Sequence, residues 1–346
     1  MRSNRGGVAL VAIALVLGAC SGSDEATAPE DSSASGEPSP SPAPRCPLSG
    51  EVAPEGVDVT RPAVAVKIEN NPVAYPLAGL EDAEVVYEEL VEGGQTRFMA
   101  LYHCTDAVKA GPIRSTRSVD PAILGDTTKI LAGAGGNAIV RKILKKADVV
   151  IIDEEKAKKA MERIPREGIA SEHTLYGDTA ALRELGSRRF DEPPGDLFSF
   201  GDLDGKAKKA KTITITFSPS VTVSFAWTGE RWARSDRGNP LTAESGDQIK
   251  VDNVIIEQHT VNNSTKLFDV AGNPSIEIVD ESGSGPAVIF RDGKAIKGKW
   301  VRDEDTGRMS YQTKTGEEIP LSPGVTWIEL VPNKKGELKG SFTFTK

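Results

Sequence analysis

Ten apolar residues, Val8 to Leu17, follow Arg2 and Arg5 and run into Gly18-Ala19-Cys20, an order that decides in which compartment the rest of the chain folds. A basic start, a short apolar run and small residues before a cleavage point describe a secretory signal rather than an element of the fold. The run falls short of the ~20 residues that a spanning helix needs. Gly18 and Ala19 leave a peptidase room at the bond before Cys20. A leucine three residues before a cysteine, with two small residues between, has the form of a lipobox, so Cys20 is expected to be acylated. Each buried CH₂ contributes ~0.8 kcal/mol and one chain anchors weakly, so two or three chains hold a protein on a membrane without a transmembrane helix. The alternative is an ordinary secretory signal that ends by chance on a cysteine. Residues 1–19 are thus predicted to be a lipoprotein signal peptide. The protein is expected outside the cytoplasm, anchored in the cell envelope on either membrane.

From Ser21 to Pro44 nearly every residue is Ser, Pro, Ala, Gly, Glu, Asp or Thr, which leaves nothing to bury. Residues 20–45 are predicted to be a disordered tether, reaching several nanometres at ~3 Å per residue. The remaining chain exceeds the usual size of a single core, so two domains are expected, over 46–204 and 205–346. The net charge of −8 becomes two units more negative once Arg2 and Arg5 leave, which argues against nucleic acid as a partner. Cys46 and Cys104 remain after Cys20, in a compartment where disulfides form. They are expected to pair, closing a loop of about sixty residues for ~2–4 kcal/mol; the other reading is two free thiols.

Pro62 to Ile68, Ala83 to Leu90 and Arg97 to Cys104 are rich in apolar residues and predict strands. Ile130 to Ala134 and Val149 to Ile152 read as strands on either side of a helix over Asn137 to Lys146. Asp153 can cap a helix over Glu154 to Ile164, and Asp178 one over Thr179 to Ser187. The alternation predicts an α/β N-terminal domain, a mixed sheet with flanking helices. The Pro- and Gly-containing stretch from Phe190 to Lys211 suits a connection between domains. Beyond it strand signals dominate, with a type I′ hairpin expected at Asp292-Gly293 and a turn at Asn262-Asn263, so the C-terminal domain is predicted to be mainly β.

Ala65-Val66-Lys67-Ile68-Glu69-Asn70-Asn71, Pro76 to Leu80, Ala83 to Glu89 and Glu92-Gly93-Gly94-Gln95-Thr96-Arg97-Phe98 form a distinctive run. So do Gly111-Pro112-Ile113-Arg114-Ser115-Thr116-Arg117, Gly283 to Gly293, Gly298-Lys299-Trp300 and Leu321 to Ile328. Together they resemble the YerB-like lipoprotein family over essentially the whole folded chain. The resemblance implies a lipoprotein with paired N-terminal and C-terminal domains of unknown function, of the DUF3048 type, and implies no substrate. Where the family tends to carry a Pro-His-Asn-Leu-Tyr-like motif, this chain has Glu172-His173-Thr174-Leu175-Tyr176, which keeps the two side chains best able to move protons.

Arg97, Arg114 and Arg117 lie near the ends of predicted strands, where three guanidinium groups can converge on phosphate or carboxylate oxygens. Gly135 and Gly136, with Gly133, stand between a strand and a helix, where backbone N–H groups favour an anion. No Gly-Lys-Ser/Thr follows, so the spacing is not that of a nucleotide-binding loop. The alternative for the arginines is structural pairing with Glu88, Glu89, Glu92 and Asp120. His173 beside Glu172 is a candidate acid or base and Ser115 a candidate nucleophile. A surface-loop histidine is the plainer alternative. His103 and His259 have no metal-ligand spacing, and neither metal nor cofactor is expected. Trp227, Trp232, Trp300 and Trp327 are expected mostly in the core, a sugar-stacking row being the minor alternative. The functional expectation is an envelope binding module for an anionic ligand, such as a wall polymer or polyprenyl phosphate. The alternatives are an envelope hydrolase or transferase acting on phosphate-linked or glycan substrates, and an assembly lipoprotein that binds other envelope proteins; catalysis is left open.

Overall fold

The central strands share a period of two between apolar faces, and both faces of their sheet are covered. The computed structural model describes residues 43–195, 197–203, 207–269 and 271–346. The expected signal peptide, Cys20 and nearly all of the expected tether lie outside the described residues, as does the boundary expected at residue 205.

The N-terminal half supplies β1 (Val64–Glu69), β2 (Val85–Leu90), β3 (Thr96–Tyr102), α1 (Asp120–Leu124), β4 (Ile130–Ala132), α2 (Ala138–Lys146) and β5 (Val150–Ile152). It continues with α3 (Glu154–Ala157), β6 (Met161–Arg163), β7 (Leu175–Gly177) and α4 (Thr179–Ser187). The C-terminal half opens with β8 (Lys208–Lys209), β9 (Thr212–Ser218), β10 (Val221–Trp227), β11 (Trp232–Asp236), β12 (Asn239–Pro240) and β13 (Lys250–Val251). It goes on through β14 (Asn253–His259), β15 (Val261–Phe268), β16 (Pro274–Ile278) and β17 (Gly283–Arg291). Last come β18 (Lys294–Arg302), β19 (Met309–Gln312), β20 (Thr326–Pro332) and β21 (Ser341–Thr345). The N-terminal half is therefore mixed α/β and the C-terminal half is dominated by strands.

The large sheet is mixed, in the order β19-β18-β17-β14-β20-β2-β3-β1-β4-β5, so strands from both halves share it. Their junction is a parallel pairing of β2 with β20, from Val85 opposite Thr326 to Glu89 opposite Leu330. On one face Val64, Val66, Ile68, Val86 and Trp327 pack with Ile213, Phe225 and Trp232 of the smaller sheet β12-β11-β10-β9-β21. On the other, Ala65, Val85, Tyr87, Ile255 and Ile328 pack with residues of α1 and α2 and with Leu197 and Phe198. Alternation of side chains along a strand produces this two-sided burial.

Arg234 of β11 fastens the two sheets. It is fully buried, ion-paired to Glu88 of β2, and lies over the Trp327 and Phe98 rings at 4.6 and 5.2 Å. Cys46 and Cys104 form the expected disulfide across a separation of 58 residues. Glu84 lies beside the bridge, and its carboxylate accepts the N–H groups of His103, Cys104 and Thr105.

Two expectations need correction. The helix expected over Glu154 to Ile164 is the single turn α3, after which the chain extends into β6 to pair with β7. Asn262 and Asn263 are not a turn; they lie in β15, paired with Glu277 and Ile276. As expected, the tryptophans are core residues: Trp232, Trp300 and Trp327 are wholly buried and Trp227 is half-buried against Trp232, so no indole row faces solvent. The type I′ hairpin is as expected, with φ of 52° at Asp292 and 64° at Gly293.

Candidate functional site

The loop after Gly111 crosses the end of β1, and backbone bonds hold it there. Glu69 N–H donates to Pro112 O, Arg114 N–H to Lys67 O, and Ala134 N–H to Arg114 O, at 2.9 to 3.0 Å. The turn before α2 must come very close to this loop. A Cβ on Gly133 or Gly136 would stand 2.6 Å from Thr116, so glycine is required at both positions. The crossing encloses a cavity of about 490 Å³, whose lining includes Arg97, Arg114, Ser115, Arg117 and Gly136. It is completed by Glu69, Glu92, Asn137, Phe268 and Asp269, among others. Of the glycines singled out from the sequence, Gly136 lines this cavity. Gly135 lines a neighbouring one with Arg141 and Asp153, and its N–H is already bonded to Gly133 O.

The three arginines converge, but they are not equivalent. Arg117 donates from Nε to Glu92 Oε2 at 2.9 Å and from Nη1 to the Thr116 carbonyl at 2.9 Å. Arg114 donates to the Glu172 carbonyl at 2.7 Å and stands 3.5 Å from Glu69. Arg97, on β3, has acidic cross-strand neighbours on both sides, Glu69 and Glu89. Each is engaged elsewhere: Glu69 by His173 and Arg114, Glu89 by Lys67. Arg97 is 7% exposed and makes one hydrogen bond, from Nη1 to Ser115 O at 3.1 Å. Its Nε has no partner, and no carboxylate oxygen lies within 4.0 Å of its guanidinium among the described residues. Burial, with the charges of Arg117 and Arg114 nearby, pushes its pKa down to about 9. The surroundings therefore hold this cation poorly, and an anion in the cavity would relieve it.

Pairing of the arginines with Glu88, Glu89, Glu92 and Asp120 holds in part. Glu92 pairs with Arg117, and Asp120 accepts the Arg117 backbone N–H at 2.7 Å. Asp120 and Glu89 both pair with the fully buried Lys67, and Glu88 with Arg234. Sequence reasoning passed over Lys67, Glu69 and Arg234; a charged residue at every second position of an apolar strand, as in Val64–Glu69, was the available signal for the first two.

His173 Nδ1 donates to Glu69 Oε2 at 2.7 Å, so its carboxylate partner is Glu69 and not the adjacent Glu172. Tyr176 lies under the Lys109 ammonium, 4.5 Å from the ring centre, and its hydroxyl has no hydrogen-bond partner among the described residues. Ser115 Oγ donates to Ala134 O at 3.2 Å, and no histidine bonds to it among the described residues.

Fold and site define a class: a mixed α/β half and a strand-rich half built on one sheet, with an arginine-lined cleft at the end of β1 and β3. The chain belongs to the DUF3048 family. The models described as protein of unknown function (DUF3048), N-terminal domain and C-terminal domain, match residues 48–191 and 213–328. The chain is 27% identical over 307 residues to a Bacillus subtilis (strain 168) protein named "Putative lipoprotein YerB", covering 84% of this chain and 86% of that one. The crystal structure of YerB protein from Bacillus subtilis shares the fold, with a TM-score of 0.70 at 22% identity over 86% of this chain and 99% of that one. Among the described residues no helix is long and apolar enough to cross a membrane.

Proposed function

We propose that the protein is a lipoprotein anchored outside the cytoplasm through Cys20 and that its arginine cavity binds an anionic group of the cell envelope. The observation that carries this is Arg97, a buried guanidinium without a carboxylate partner among the described residues, facing a cavity flanked by two further arginines. Such a group is a net cost to the fold unless an anion completes it. The lipobox order around Cys20 and the name of the Bacillus relative support the anchoring.

The test is a thermal-shift titration with inorganic phosphate and with undecaprenyl phosphate, comparing the native protein with Arg97→Met. Stabilisation of ~2.7 kcal/mol is expected at a hundredfold excess over the dissociation constant, and none in the variant. No shift with either compound would overturn the reading.

A catalytic reading has one observation in its favour, the bond between His173 and Glu69 beside Arg114, in which a carboxylate orients an imidazole at the edge of an anion site. It calls for turnover of a phosphate ester that His173→Ala abolishes while binding persists.

A further inference from the structure

The helix that starts at the cavity wall is strongly basic. In a protein with 50 acidic and 42 basic residues, α2 reads Ala-Ile-Val-Arg-Lys-Ile-Leu-Lys-Lys, with four cations and no acid. All four cations are exposed. Arg141 pairs with Asp153, whereas Lys142, Lys145 and Lys146 make no ion pair among the described residues. Lys145 and Lys146 suit the negative end of the helix dipole, which accounts for their position but not for Lys142.

Two large apolar side chains are exposed near the start of this helix. Ile139 of α2 is 45% exposed, and Phe268, at the end of β15, is 46% exposed and lines the arginine cavity. The Asn137 side chain, which caps α2, donates to the Phe268 carbonyl at 3.0 Å and so holds the helix start against the strand end. Val140, one residue after Ile139, is buried in the cavity wall. The helix that starts at the anion site thus carries unpaired lysines and an exposed Ile139, with Phe268 exposed beside its start, the combination that settles into the interface of an anionic bilayer.

We infer that the face formed by α2 and Phe268 docks on an anionic lipid surface, so that the arginine cavity receives the phosphate of a lipid head group. This rests on the anion-binding reading above and adds to it where the anion comes from. Docking follows from charge complementarity and from the exposed Ile139 of the basic helix and Phe268 of the cavity wall. A polyprenyl phosphate and a phosphatidic acid offer the same phosphomonoester at the end of apolar chains.

The experiment is co-sedimentation of the chain from residue 20 onward, carrying Cys20→Ser so that no acyl group anchors it. The vesicles are phosphatidylcholine alone, phosphatidylcholine with phosphatidic acid, and phosphatidylcholine with undecaprenyl phosphate. The protein is expected to pellet with either or both doped vesicles and not with phosphatidylcholine alone, the two doped samples telling the lipid sources apart. A Lys142→Glu/Lys145→Glu/Lys146→Glu protein should bind doped vesicles at least about 100-fold more weakly, since each lysine near such a surface contributes roughly fivefold. It should keep the thermal shift given by inorganic phosphate, because none of the three lines the cavity. Ile139→Ser should likewise weaken vesicle binding and spare the phosphate shift, because Ile139 does not line the cavity. Arg97→Met should lose both. If the native protein shifts with phosphate but ignores every vesicle, or if the triple variant binds vesicles as well as the native protein, the docking face is wrong and the anion site stands. If phosphate gives no shift and no vesicle binds, both readings fall.

Discussion

Arg97 sets the balance between stability and function in the cleft. Its guanidinium gives up most of its hydration on folding and recovers one hydrogen bond, with Arg114 and Arg117 close by to repel it. Replacing a buried charge that has no counter-ion by an apolar side chain of similar length removes that desolvation cost. Arg97→Met is therefore expected to raise stability, by about 1–2 kcal/mol, in the absence of any anion, while abolishing the phosphate response. Chemical denaturation in a phosphate-free buffer checks the sign. A variant less stable than the native protein would mean that the bond to Ser115 O outweighs the buried charge, and Arg97 would then be a structural residue. Arg117 should behave differently, because Glu92 already neutralises it.

Where several strands meet, a second ionic cluster gives the fold a dependence on pH. His259 closes β14, and its ring stacks on Trp300 of β18 with centroids 4.6 Å apart. Nε2 stands 2.9 Å from Glu257 and Nδ1 3.3 Å from Asp280, while Tyr311 of β19 donates to the other Glu257 oxygen at 2.6 Å. Burial alone would lower the pKa of His259, but its hydrogen bonds to Asp280 and Glu257 outweigh it and raise the value to about 9. The unfolded value is near 6.5, so the charged form favours the native state. That contribution is complete below pH 6.5 and is lost as pH rises through 9, and it amounts to about 3 kcal/mol. The stability difference between native protein and His259→Gln should therefore be largest near pH 6 and shrink steadily towards pH 10; a difference that does not change with pH would mean that the histidine is neutral when folded. Elements of this kind were unevenly legible in the sequence. Runs such as Val64–Glu69 and Thr326–Pro332 announced themselves because both faces are buried, and Asp153 and Asp178 marked helix starts because each side chain caps one. The polar strand Val261–Phe268 was not legible, since among the described residues it pairs with β16 alone and few of its side chains reach a core. The helix expected after Asp153 failed because Met161–Arg163 gains more from pairing with β7 than from continuing a helical stripe.

At the scale of the whole molecule, the sequence pattern suggested two parts because composition changes near residue 205, while the pairing of β20 with β2 and β14 is set by contacts far apart in the chain and leaves no local mark. The cleft was legible to the same extent: Arg97, Arg114 and Arg117 were visible as residues, but Glu69, Lys67 and His173 come to them only through the fold. The topology makes a demanding prediction about independence. Residues 43–346 cluster as one compact unit, and β20, which lies between β2 and β14, buries Trp327, Ile328, Leu330 and Val331 almost completely. Cutting the chain near residue 205 leaves β2 as an exposed sheet edge and uncovers the Val86 and Tyr87 faces on which those side chains pack. Four large apolar side chains lost from a core amount to roughly 6–12 kcal/mol, against the ~5–15 kcal/mol that holds a domain folded in all. Neither half alone can absorb that loss, and the N-terminal half also loses Arg234 as the counter-ion of the buried Glu88. Fragments 43–204 and 207–346 produced separately are therefore expected to show no cooperative thermal transition, and to co-purify as a folded complex when produced together. A sharp, reversible transition in either isolated fragment would show that the shared sheet is a docking of two self-sufficient cores, and the cleft, whose lining includes Arg97 from one half and Phe268 from the other, would then be able to open and close between them.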